Sequence, residues 1–565
     1  MLRKSLASVI WHGTVPAVLL VGAADTTLFS PKSVVAEESP RSEAQRVCEV
    51  HPAVPISGSL FICGGGSLPA RLIDRYFEIA GGKDARIVLV TTASPKAGTP
   101  ELESRYSNWK KRPHSSLDFF HARSRSDAES PEYCQRLKNA TAIWFVGGNQ
   151  NWVAETYLGT LAEKLFHAVL ERGGVIGGTS AGAAIMTRTM IAGGRFEPVM
   201  ATGLGFLPGT IIDQHFRQRN RSDRLKQALE LRPGHVGFGI DEATALIVNG
   251  RSLEVIGDSD VTVCLSQSAG RAALETRIAD GEKEDLIKLS RAAVARTQPR
   301  FPAQKQVPEV KEGTLVIVGG GSPPREAVDE FLSAAGGKDA AIVVVCNGLA
   351  DDSPEEQDVC GWLKEAGASN VQQLHTRGEQ NLSGSSMQER LRQARGVWFT
   401  GSRQWRLVEA YLDTPIQVLF HEVLHRGGVI GGRSAGAAIQ GEYLVRSNPP
   451  GTNDTVAEGY ERGFGFLPGV AIDEQISEHH DFDELAELKK TYPQLVGIGI
   501  DDATALIVRG TTMEVVGQNN VAVFDRREKG QNAQPEFELV KAGQTYDFKE
   551  RRLMDPAKVD SASTK

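Results

Sequence analysis

The sequence predicts an α/β protein made of two homologous three-layer domains with mainly parallel sheets. Three observations carry this prediction. The chain repeats itself at a period of roughly 255–260 residues, far too long for a solenoid repeat. Within each copy, short apolar runs alternate with helical stretches, which favours a parallel sheet with helices on both faces. Each copy also places a Gly-x-Ser-Ala-Gly turn between an apolar run and a pair of alanines.

The duplication fixes the domain boundaries that we predict. LFICGGGS at 60–67 matches LVIVGGGS at 315–322. GGVIGGTSAGAAI at 173–185 recurs at 427–439 with one change, Thr179 to Arg433, and GFGIDEATALIV at 237–248 recurs as GIGIDDATALIV at 497–508. We predict a first domain over 57–293, a linker over 294–312 rich in proline and charge, and a second domain over 313–550. Residues 551–565 are predicted to form a tail.

In the first copy the predicted elements follow in order. The apolar runs read as strands over 60–63, 86–91, 142–146 and 175–177, separated by helices such as 68–80 and 153–172. The end of the copy differs, because three short apolar runs at 244–248, 253–256 and 261–265 succeed one another and predict a β-meander. Ligands in such folds bind at the carboxyl ends of the parallel strands.

The N-terminus predicts export. Arg3 and Lys4 form a short basic region, residues 15–24 are mostly apolar, and Val34-Val35-Ala36 offers a small-residue cleavage site. We predict a signal peptide over 1–36 and a linker over 37–56, hence a secreted or periplasmic protein. A disordered leader on a cytoplasmic protein is the alternative. No other segment has the ~20 apolar residues that a membrane span needs.

Composition excludes several classes of function. The 41% apolar and 24% charged residues are typical of a globular protein, and a net charge of −7 gives no reason to expect nucleic-acid binding. The six cysteines are scattered, with no CxxC pair and no histidine cluster at metal spacing. We therefore predict no metal site and no cofactor.

The turn at 178–182, GTSAG, is the centre of the predicted site. A strand precedes it and a helix over 181–190 is expected to follow, so the G-x-S-x-G spacing places Ser180 at a nucleophile elbow. Backbone N–H groups at the helix start could form an oxyanion hole. The alternative is a glycine-rich packing turn whose serine has no chemical role.

A serine needs a base to remove its proton. His215 is the candidate, since an imidazole can act as base and then as acid, although a structural histidine is the alternative. Asp241 and Glu242 follow an apolar run and could orient the imidazole; the alternative for them is a turn or a helix cap. Gln150, after the Gly-Gly loop at 147–148, could hydrogen-bond a substrate.

Arginines follow His215 closely. Arg217, Arg221 and Arg224 are spaced four and three apart, so one helix face could carry them. Clustered guanidinium groups suit carboxylates or phosphates. A solvated helix face is the alternative interpretation.

Together these motifs resemble one family. FVGGNQ at 145–150, GGTSAGAA at 177–184, DQHFRQRNRSDRL at 213–225 and GIDEATAL at 239–246 are similar to the cyanophycinases, in the serine peptidase family that includes the aspartyl dipeptidases. The resemblance implies that Ser180 is the nucleophile, His215 the general base and Glu242 its orienting acid. It assigns six residues to the substrate pocket: Gln150, Asp213, Gln214, Arg219, Arg221 and Arg224. It also implies a fold like the class I glutamine amidotransferase domain, which is flavodoxin-like.

The resemblance implies a substrate and a reaction. The substrate is cyanophycin, a polyaspartate backbone with arginine on each β-carboxyl, and the product is the β-aspartyl-arginine dipeptide, released through an acyl-enzyme. Two alternatives stay open: an aspartyl dipeptidase of the same family, and a non-catalytic polymer-binding protein. The expected partners are therefore cyanophycin or aspartyl peptides, and a homo-oligomer is left open.

The second copy is predicted to be catalytically inactive. Ser434 and Gln404 survive, but Gln475 stands where His215 stands and Asp502 replaces Glu242. The pocket arginines are also lost, with His479, Asp481 and Glu484 in place of Arg219, Arg221 and Arg224. Without a base the serine stays protonated. The acidic pocket could bind arginine side chains of the polymer, or the copy could only buttress the first domain.

Overall fold

A computed structural model describes residues 55–298, 305–349, 360–374, 385–450, 456–474, 482–525 and 537–554. In the first copy the strands are β1 Ile56–Cys63, β2 Arg86–Val90, β3 Ser116–Phe120, β4 Ala142–Phe145, β5 Val175–Thr179, β6 Thr189–Gly193, β7 Val199–Thr202, β8 Thr210–Gln214, β9 Val236–Ile240, β10 Thr244–Gly250, β11 Ser252–Gly257, β12 Val261–Leu265, β13 Leu274–Ile278 and β14 Lys283–Asp285. Its helices are α1 Ala70–Ile79, α2 Pro100–Arg105, α3 Arg125–Glu129, α4 Gln135–Lys138, α5 Gln150–Tyr157, α6 Leu161–Glu171, α7 Ala181–Ala184, α8 Ser222–Leu231 and α9 Leu286–Ala295.

The second copy repeats this order. Its strands are β15 Val310–Val318, β16 Ile342–Gly348, β17 Val371–Leu374, β18 Gly396–Gly401, β19 Val429–Arg433, β20 Gly441–Leu444, β21 Leu467–Glu474, β22 Val496–Ile500, β23 Thr504–Gly510, β24 Thr512–Gly517, β25 Asn520–Phe524, β26 Glu538–Lys541, β27 Thr545–Asp547 and β28 Arg552–Leu553. Its helices are α10 Arg325–Ala335, α11 Gly361–Glu365, α12 Ser385–Gln393, α13 Gln404–Tyr411, α14 Pro415–His425, α15 Ala435–Ala438 and α16 Phe482–Thr491.

The main sheet of the first copy has eight strands in the order β14-β11-β10-β1-β5-β4-β2-β3. The five strands from β1 to β3 in this order are parallel to one another, and β10, β11 and β14 continue the sheet antiparallel. The carboxyl ends of the parallel strands therefore meet at one edge, which is where Ser180 follows β5.

Helices cover both faces of this sheet, as the aromatic side chains of β4 show. Successive strand residues point to opposite faces. Trp144 packs edge-on against Tyr76 of α1, with ring centroids 4.9 Å apart, while its neighbour Phe145 packs against Phe166 of α6 at 5.1 Å. The α/β three-layer arrangement predicted from the sequence is thus present.

The predicted meander is only half formed. β10 and β11 pair as a hairpin, but β12 leaves the main sheet and pairs with β9 in a second sheet of order β13-β12-β9-β8. All five residues of β12 are buried, whereas burial alternates along β11. A run without alternation fits a strand covered on both faces, and that signal in VTVCL was available in the sequence.

The second copy has the same layers. Its nine-stranded sheet has the order β17-β16-β18-β19-β15-β23-β24-β27-β28. Trp398 of β18 packs against Phe331 of α10 at 5.1 Å, and Phe399 packs against Phe420 of α14 at 5.0 Å on the opposite face. The duplication inferred from sequence is therefore a duplication of structure as well.

The ends of the predicted domains can be compared with the elements. β1 begins at Ile56, α9 ends at Ala295, β15 begins at Val310 and β28 ends at Leu553. The predicted signal peptide over 1–36 and nearly all of the linker over 37–56 lie outside the described residues, as does most of the tail. Among the helices that the structure describes, none combines the length and apolar character of a membrane span.

The two copies contact each other through ion pairs that are largely shielded from water. Arg251 forms a bidentate pair with Glu409, with N–O distances of 3.0 and 2.9 Å, and Arg296 forms another with Glu458, with both distances 2.9 Å. Arg291 of α9 donates to the carbonyl of Gly459 at 3.2 Å. Planar guanidinium–carboxylate pairs of this kind fix relative orientation as well as adding energy.

Candidate active site

The loop between β5 and α7 is a nucleophile elbow. Ser180 has φ 54° and ψ −110°, a backbone conformation that a residue with a side chain rarely adopts. Such strain persists only where the surroundings over-determine it. Gly178 and Gly182 allow the tight approach of strand and helix, because a Cβ on Gly178 would lie 2.5 Å from the carbonyl oxygen of Gly182. The G-x-S-x-G pattern thus has the structural reason that the sequence suggested.

The helix after Ser180 is much shorter than the 181–190 that we predicted. α7 ends at Ala184, and the chain then turns into β6. The carbonyls of Ile185 and Met186, which a longer helix would have used, accept hydrogen bonds from the N–H groups of Leu204 and Leu207. Tertiary pairing therefore overrides the helix propensity of this stretch.

The structure brings Ser180, His215 and Glu242 together from three loops. The Nε2 atom of His215 lies 2.8 Å from the Oγ atom of Ser180, and its Nδ1 atom lies 2.5 Å from Oε1 of Glu242. The serine hydroxyl can donate to Nε2 when Nδ1 carries the proton and donates to the carboxylate. This chain of contacts has the nucleophile–base–acid order of a serine hydrolase.

One glycine loop anchors the backbone at all three corners of the site. The successive carbonyls of Cys63, the last residue of β1, and of Gly64 and Gly65 accept hydrogen bonds from the N–H groups of Ser180, His215 and Ala243, the residue after Glu242, at 3.1, 2.7 and 3.0 Å. These three donors have φ of 54°, 50° and 56°. The strained backbone at each corner of the site is thus tied to neighbouring peptides of a single loop.

Only glycine fits in this loop, which we name the GGG loop (Gly64-Gly65-Gly66). Gly65 has φ +116°, and a Cβ there would lie 2.2 Å from Cε1 of His215. Gly66 has φ +71°, and its Cβ would lie 2.8 Å from Oε2 of Glu242. The sequence analysis used this segment only as a marker of duplication. A Gly-Gly-Gly run directly after a parallel strand was the signal that could have placed it in the site.

Burial keeps the imidazole neutral. Removal from water lowers the pKa of His215 below its usual range, and the guanidinium groups of Arg219 and Arg221 act in the same direction. Together they outweigh Glu242, whose carboxylate favours the charged ring. A neutral ring at neutral pH is the form that can accept the serine proton.

Asp213 anchors two of the pocket arginines. Its side chain is 1% exposed, Arg224 donates to both of its oxygens, and Arg221 donates to Oδ1 at 3.2 Å. Arg224 also donates to the carbonyl of Gly194 at 2.5 Å, and Arg221 to both oxygens of Gln214. These bonds join β8 to the start of α8.

The spacing of Arg217, Arg221 and Arg224 allowed one helix face to carry all three. In the structure they do not share one. Arg217 lies in a 3₁₀ turn, α8 begins only at Ser222, and Arg217 pairs instead with Asp241, which is 1% exposed. Asp241 also accepts from the backbone N–H of Arg217 at 2.9 Å. Asn220, with a φ of 51°, ends the 3₁₀ turn before α8 starts.

The remaining predicted residues border the same site. Gln150 donates through Nε2 to the carbonyls of Ile191 and Ala192 at 3.2 and 2.7 Å. Arg219 is exposed and, within the described part of the chain, has no ion pair within 4 Å. Gln218, which the sequence analysis did not single out, accepts from the N–H of Glu242 at 3.1 Å and so supports the acid of the triad.

No group of side chains suited to a metal ion occurs among the described residues. The N–H of Ala181 opens α7 and lies next to the nucleophile, and the 147–148 loop approaches Ser180 from β4, since a Cβ on Gly147 would lie 3.4 Å from that of Ser180. Backbone donors at these two places are where an oxyanion would be stabilised. The arrangement can carry out acyl transfer with its own residues.

The second copy keeps the elbow and changes what surrounds it. Ser434 has φ 51°, its N–H donates to the carbonyl of Val318 at 3.2 Å, and Ala503 N–H donates to Gly320. The Oδ1 atom of Asp502 is buried without a hydrogen-bond partner in the described part of the copy. Gln475, His479 and Asp481, on which part of our inactivity prediction depends, lie outside the described residues.

The ion pairs around Asp473, the counterpart of Asp213, differ from those in the first copy. Asp473 pairs with Arg446 at 3.3 Å, and Glu484, at the position of Arg224, accepts from the same guanidinium at 2.8 Å. Gln404 donates to Glu474, the counterpart of Gln214, at 3.1 Å. The guanidinium in this copy therefore comes from the segment after β20 instead of from the helix.

Comparison with known proteins places the chain. The pattern of the family described as Peptidase family S51 matches residues 60–256 and again 315–516. A curated cyanophycinase of Geminocystis herdmanii is 34% identical over 242 residues, which cover 40% of this chain and 88% of that protein. One from Synechococcus elongatus is 34% identical over 220 residues, covering 36% of this chain and 67% of its own length. Among solved structures, a peptidase from an acI-B1 Actinobacterium is 24% identical with a TM-score of 0.33, covering 41% of this chain and 97% of that one.

Proposed function

Because this chain belongs to peptidase family S51 and is a serine-type peptidase, we propose that its first domain hydrolyses cyanophycin to β-aspartyl-arginine dipeptides. The observation that carries the proposal is the Ser180–His215–Glu242 chain of hydrogen bonds at the carboxyl edge of the main sheet. The curated relatives named cyanophycinase support this substrate.

In this proposal Ser180 Oγ attacks a main-chain carbonyl of the polyaspartate backbone while His215 Nε2 takes its proton. Glu242 holds the Nδ1 proton and stabilises the imidazolium. The developing oxyanion lies against the N–H of Ala181 and the 147–148 loop. His215 then protonates the leaving amine, and a water molecule that it activates hydrolyses the acyl-enzyme.

In this proposal the pocket binds a carboxylate of the substrate beside the scissile bond. Arg219 is the exposed guanidinium nearest to the substrate carboxylate, whereas Arg221 and Arg224 are already bound to Asp213 and position the pocket wall. Asp213, Gln214 and Gln150 complete that wall. The substrate's own guanidinium requires an acceptor, and the backbone and amide oxygens of this wall offer one.

The test is turnover of purified full-length protein with cyanophycin and, separately, with ordinary aspartyl dipeptides, followed by product analysis. We expect release of β-aspartyl-arginine from the polymer. Ser180→Ala should abolish it with the fold intact, and His215→Ala should lower kcat by about 10³–10⁶-fold. Cleavage of aspartyl dipeptides alone would favour the dipeptidase alternative, and full activity in Ser180→Ala would refute the proposed nucleophile.

A further inference from the structure

A second cavity opens at the same edge of the main sheet, beyond the site just described. It has a volume of about 450 Å³ and lies where β2 and β3 end. Its walls come from the segments after these strands, and they include Thr91, Gly98, His121, Arg123 and Asp127. Pockets of this size are typical of small-ligand or subsite binding.

The cavity lies near Ser180 along the same edge of the main sheet. In the sheet order, β2 is two strands from β5, with Val90 beside Phe145 and Phe145 beside Gly178. Strands lie 4.7–4.9 Å apart, so the cavity begins about 10 Å from the elbow. Only the 147–148 loop intervenes: Asn149 N–H donates to the carbonyl of Ala93, next to the cavity, at 2.8 Å.

The cavity lining carries one cationic and one anionic side chain that are open to a ligand. Arg123 and Glu103 are exposed, and within the described part of the chain neither side chain has an ion pair within 4 Å. The other carboxylate, Asp127, is already engaged, because its Oδ2 accepts from the N–H groups of Arg123 and Ser124 at 2.8 and 3.0 Å. His121 is half-buried, and burial together with Arg123 lowers its pKa, so it adds no charge at neutral pH.

Apolar side chains complete the cavity. Leu102 is buried and Phe119 lies partly buried in β3, and both face the cavity. The lining therefore suits a ligand with a carboxylate, a guanidinium or ammonium, and methylene groups between them. An arginine linked through its α-amine has this combination, because its carboxylate and guanidinium are both free.

We propose that this cavity is a second subsite, which binds the arginyl side arm of a polymer unit beyond the unit being cleaved. Arg123 binds the carboxylate of the arm, Glu103 binds its guanidinium, and Leu102 and Phe119 contact its methylenes. This inference rests on the proposed function. Extended backbone spans about 3.3–3.6 Å per residue, so a unit about three residues from the scissile bond reaches the cavity.

Binding to Ser180→Ala protein tests the subsite without turnover. The probes are two synthetic β-aspartyl-arginine oligomers, one of two units and one of eight, and calorimetry gives a Kd for each. We expect the longer oligomer to bind more tightly. Arg123→Gln or Glu103→Gln in this background should reduce the ratio of short to long Kd by about three- to tenfold.

Arg125→Gln and Glu132→Gln are matched controls, since both residues are exposed and outside the cavity lining. They should leave the ratio unchanged. Equal Kd values for the two oligomers, or a ratio that Arg123→Gln and Glu103→Gln do not alter, would overturn the subsite. Turnover of the two-unit oligomer by the unmodified protein is measured separately: its absence refutes the proposed function, whereas turnover with an unaltered ratio refutes only the subsite.

Discussion

Of the two arginines that lower the pKa of the candidate base, Arg219 has the larger effect. It is exposed, it borders the site, and its guanidinium contributes to the lowered pKa of His215. Its position makes two effects of substitution separable, one on proton transfer and one on substrate binding.

Arg219→Gln should raise the pKa of His215, because a positive charge that disfavours the imidazolium is removed. The neutral ring is the active form, so the acidic limb of kcat/KM against pH should move to higher pH. At pH values above that limb, only the loss of the contact between Arg219 and the substrate carboxylate affects the rate, and kcat/KM should fall about tenfold. The measurement is a full pH profile, with Arg232→Gln, exposed elsewhere in the domain, as control. An acidic limb that stays in place or moves to lower pH would contradict the electrostatic role.

Gly65 is the residue of the GGG loop whose replacement acts directly on the ring of His215. Gly65→Ala combines a positive φ with a Cβ 2.2 Å from Cε1 of His215, so the ring must move away from Ser180. Displacement of about 1 Å costs about a hundredfold in rate, and we expect a loss in kcat of at least that size.

Gly82→Ala separates the two causes. Gly82 has φ +58° with no atom within 4 Å of an added Cβ, so this variant carries backbone strain without a clash. It should lower the Tm slightly and leave kcat as it is. Near-normal kcat in Gly65→Ala would show that the GGG loop does not position the imidazole.

The chemistry of the site could be predicted from residue types, but the backbone and ion-pair contacts that hold its residues in place could not. Ser180 and His215 follow from a known pairing of nucleophile and base, whereas the choice of Glu242 over Asp241 came from the family resemblance. The structure brings Ser180, His215 and Glu242 within hydrogen-bond distance. The carbonyls of 63–65 carry no side-chain signal, so nothing in their letters says which N–H groups they accept from. Likewise, Asp213 and Arg224 are eleven residues apart, and only the fold turns them toward each other.

At the scale of elements, the sequence predicted the strands that short apolar runs mark and missed the features decided by distant contacts. The β1, β2, β4 and β5 strands lie where the apolar runs placed them. α7 stops after one turn because distant N–H groups take the carbonyls of Ile185 and Met186, and β12 leaves the main sheet to pair with β9. Both outcomes depend on contacts that local propensity does not contain.

The join of β8 to α8 depends on one buried ion pair. Arg224→Met leaves Asp213, 1% exposed, with Arg221 alone, and breaking a buried pair from one side costs about 3–5 kcal/mol. We expect the free energy of unfolding in urea to fall by about the lower of these values, because Arg221 remains. Adding Asp213→Asn should restore part of the loss.

The surface pair Arg75–Glu78 is the control, with Arg75 34% and Glu78 68% exposed. Arg75→Met should change the free energy of unfolding by less than about 1 kcal/mol. Equal effects of Arg75→Met and Arg224→Met would show that the buried pair is no more important than a surface one.

At the scale of the whole molecule, the second copy supplies partners to charges that the first copy buries. Arg296 is 9% exposed and forms its bidentate pair with Glu458, and Arg291, 6% exposed, reaches Gly459 and the ring of Tyr460. Without the second copy Arg291 would lose the carbonyl of Gly459, and Arg296 would lose its carboxylate and keep only the carbonyls of Ser266 and Ala272. This supports a buttressing role for the second domain, whatever it binds.

The same copy retains a serine with the strained backbone of the elbow. Ser434 keeps the elbow backbone, but Arg433 extends across it to the carbonyl of Gly321 at 3.0 Å. Asp502, one methylene shorter than Glu242, has a buried Oδ1 without a hydrogen bond among the described residues. The elbow backbone is therefore kept while the described contacts around the serine differ from those of the first copy.

We therefore expect all hydrolysis to depend on Ser180 and none on Ser434. Ser434→Ala should show the kcat and KM of the unmodified protein, since a serine without a base stays protonated and weakly nucleophilic. The sharper comparison is made in the absence of the first nucleophile: any slow release of dipeptide by Ser180→Ala should be the same in Ser180→Ala/Ser434→Ala. Product measured over long incubations gives the sensitivity required. A residual rate that disappears only in the double variant would mean that the second copy is an enzyme, with its base among the residues between 475 and 481.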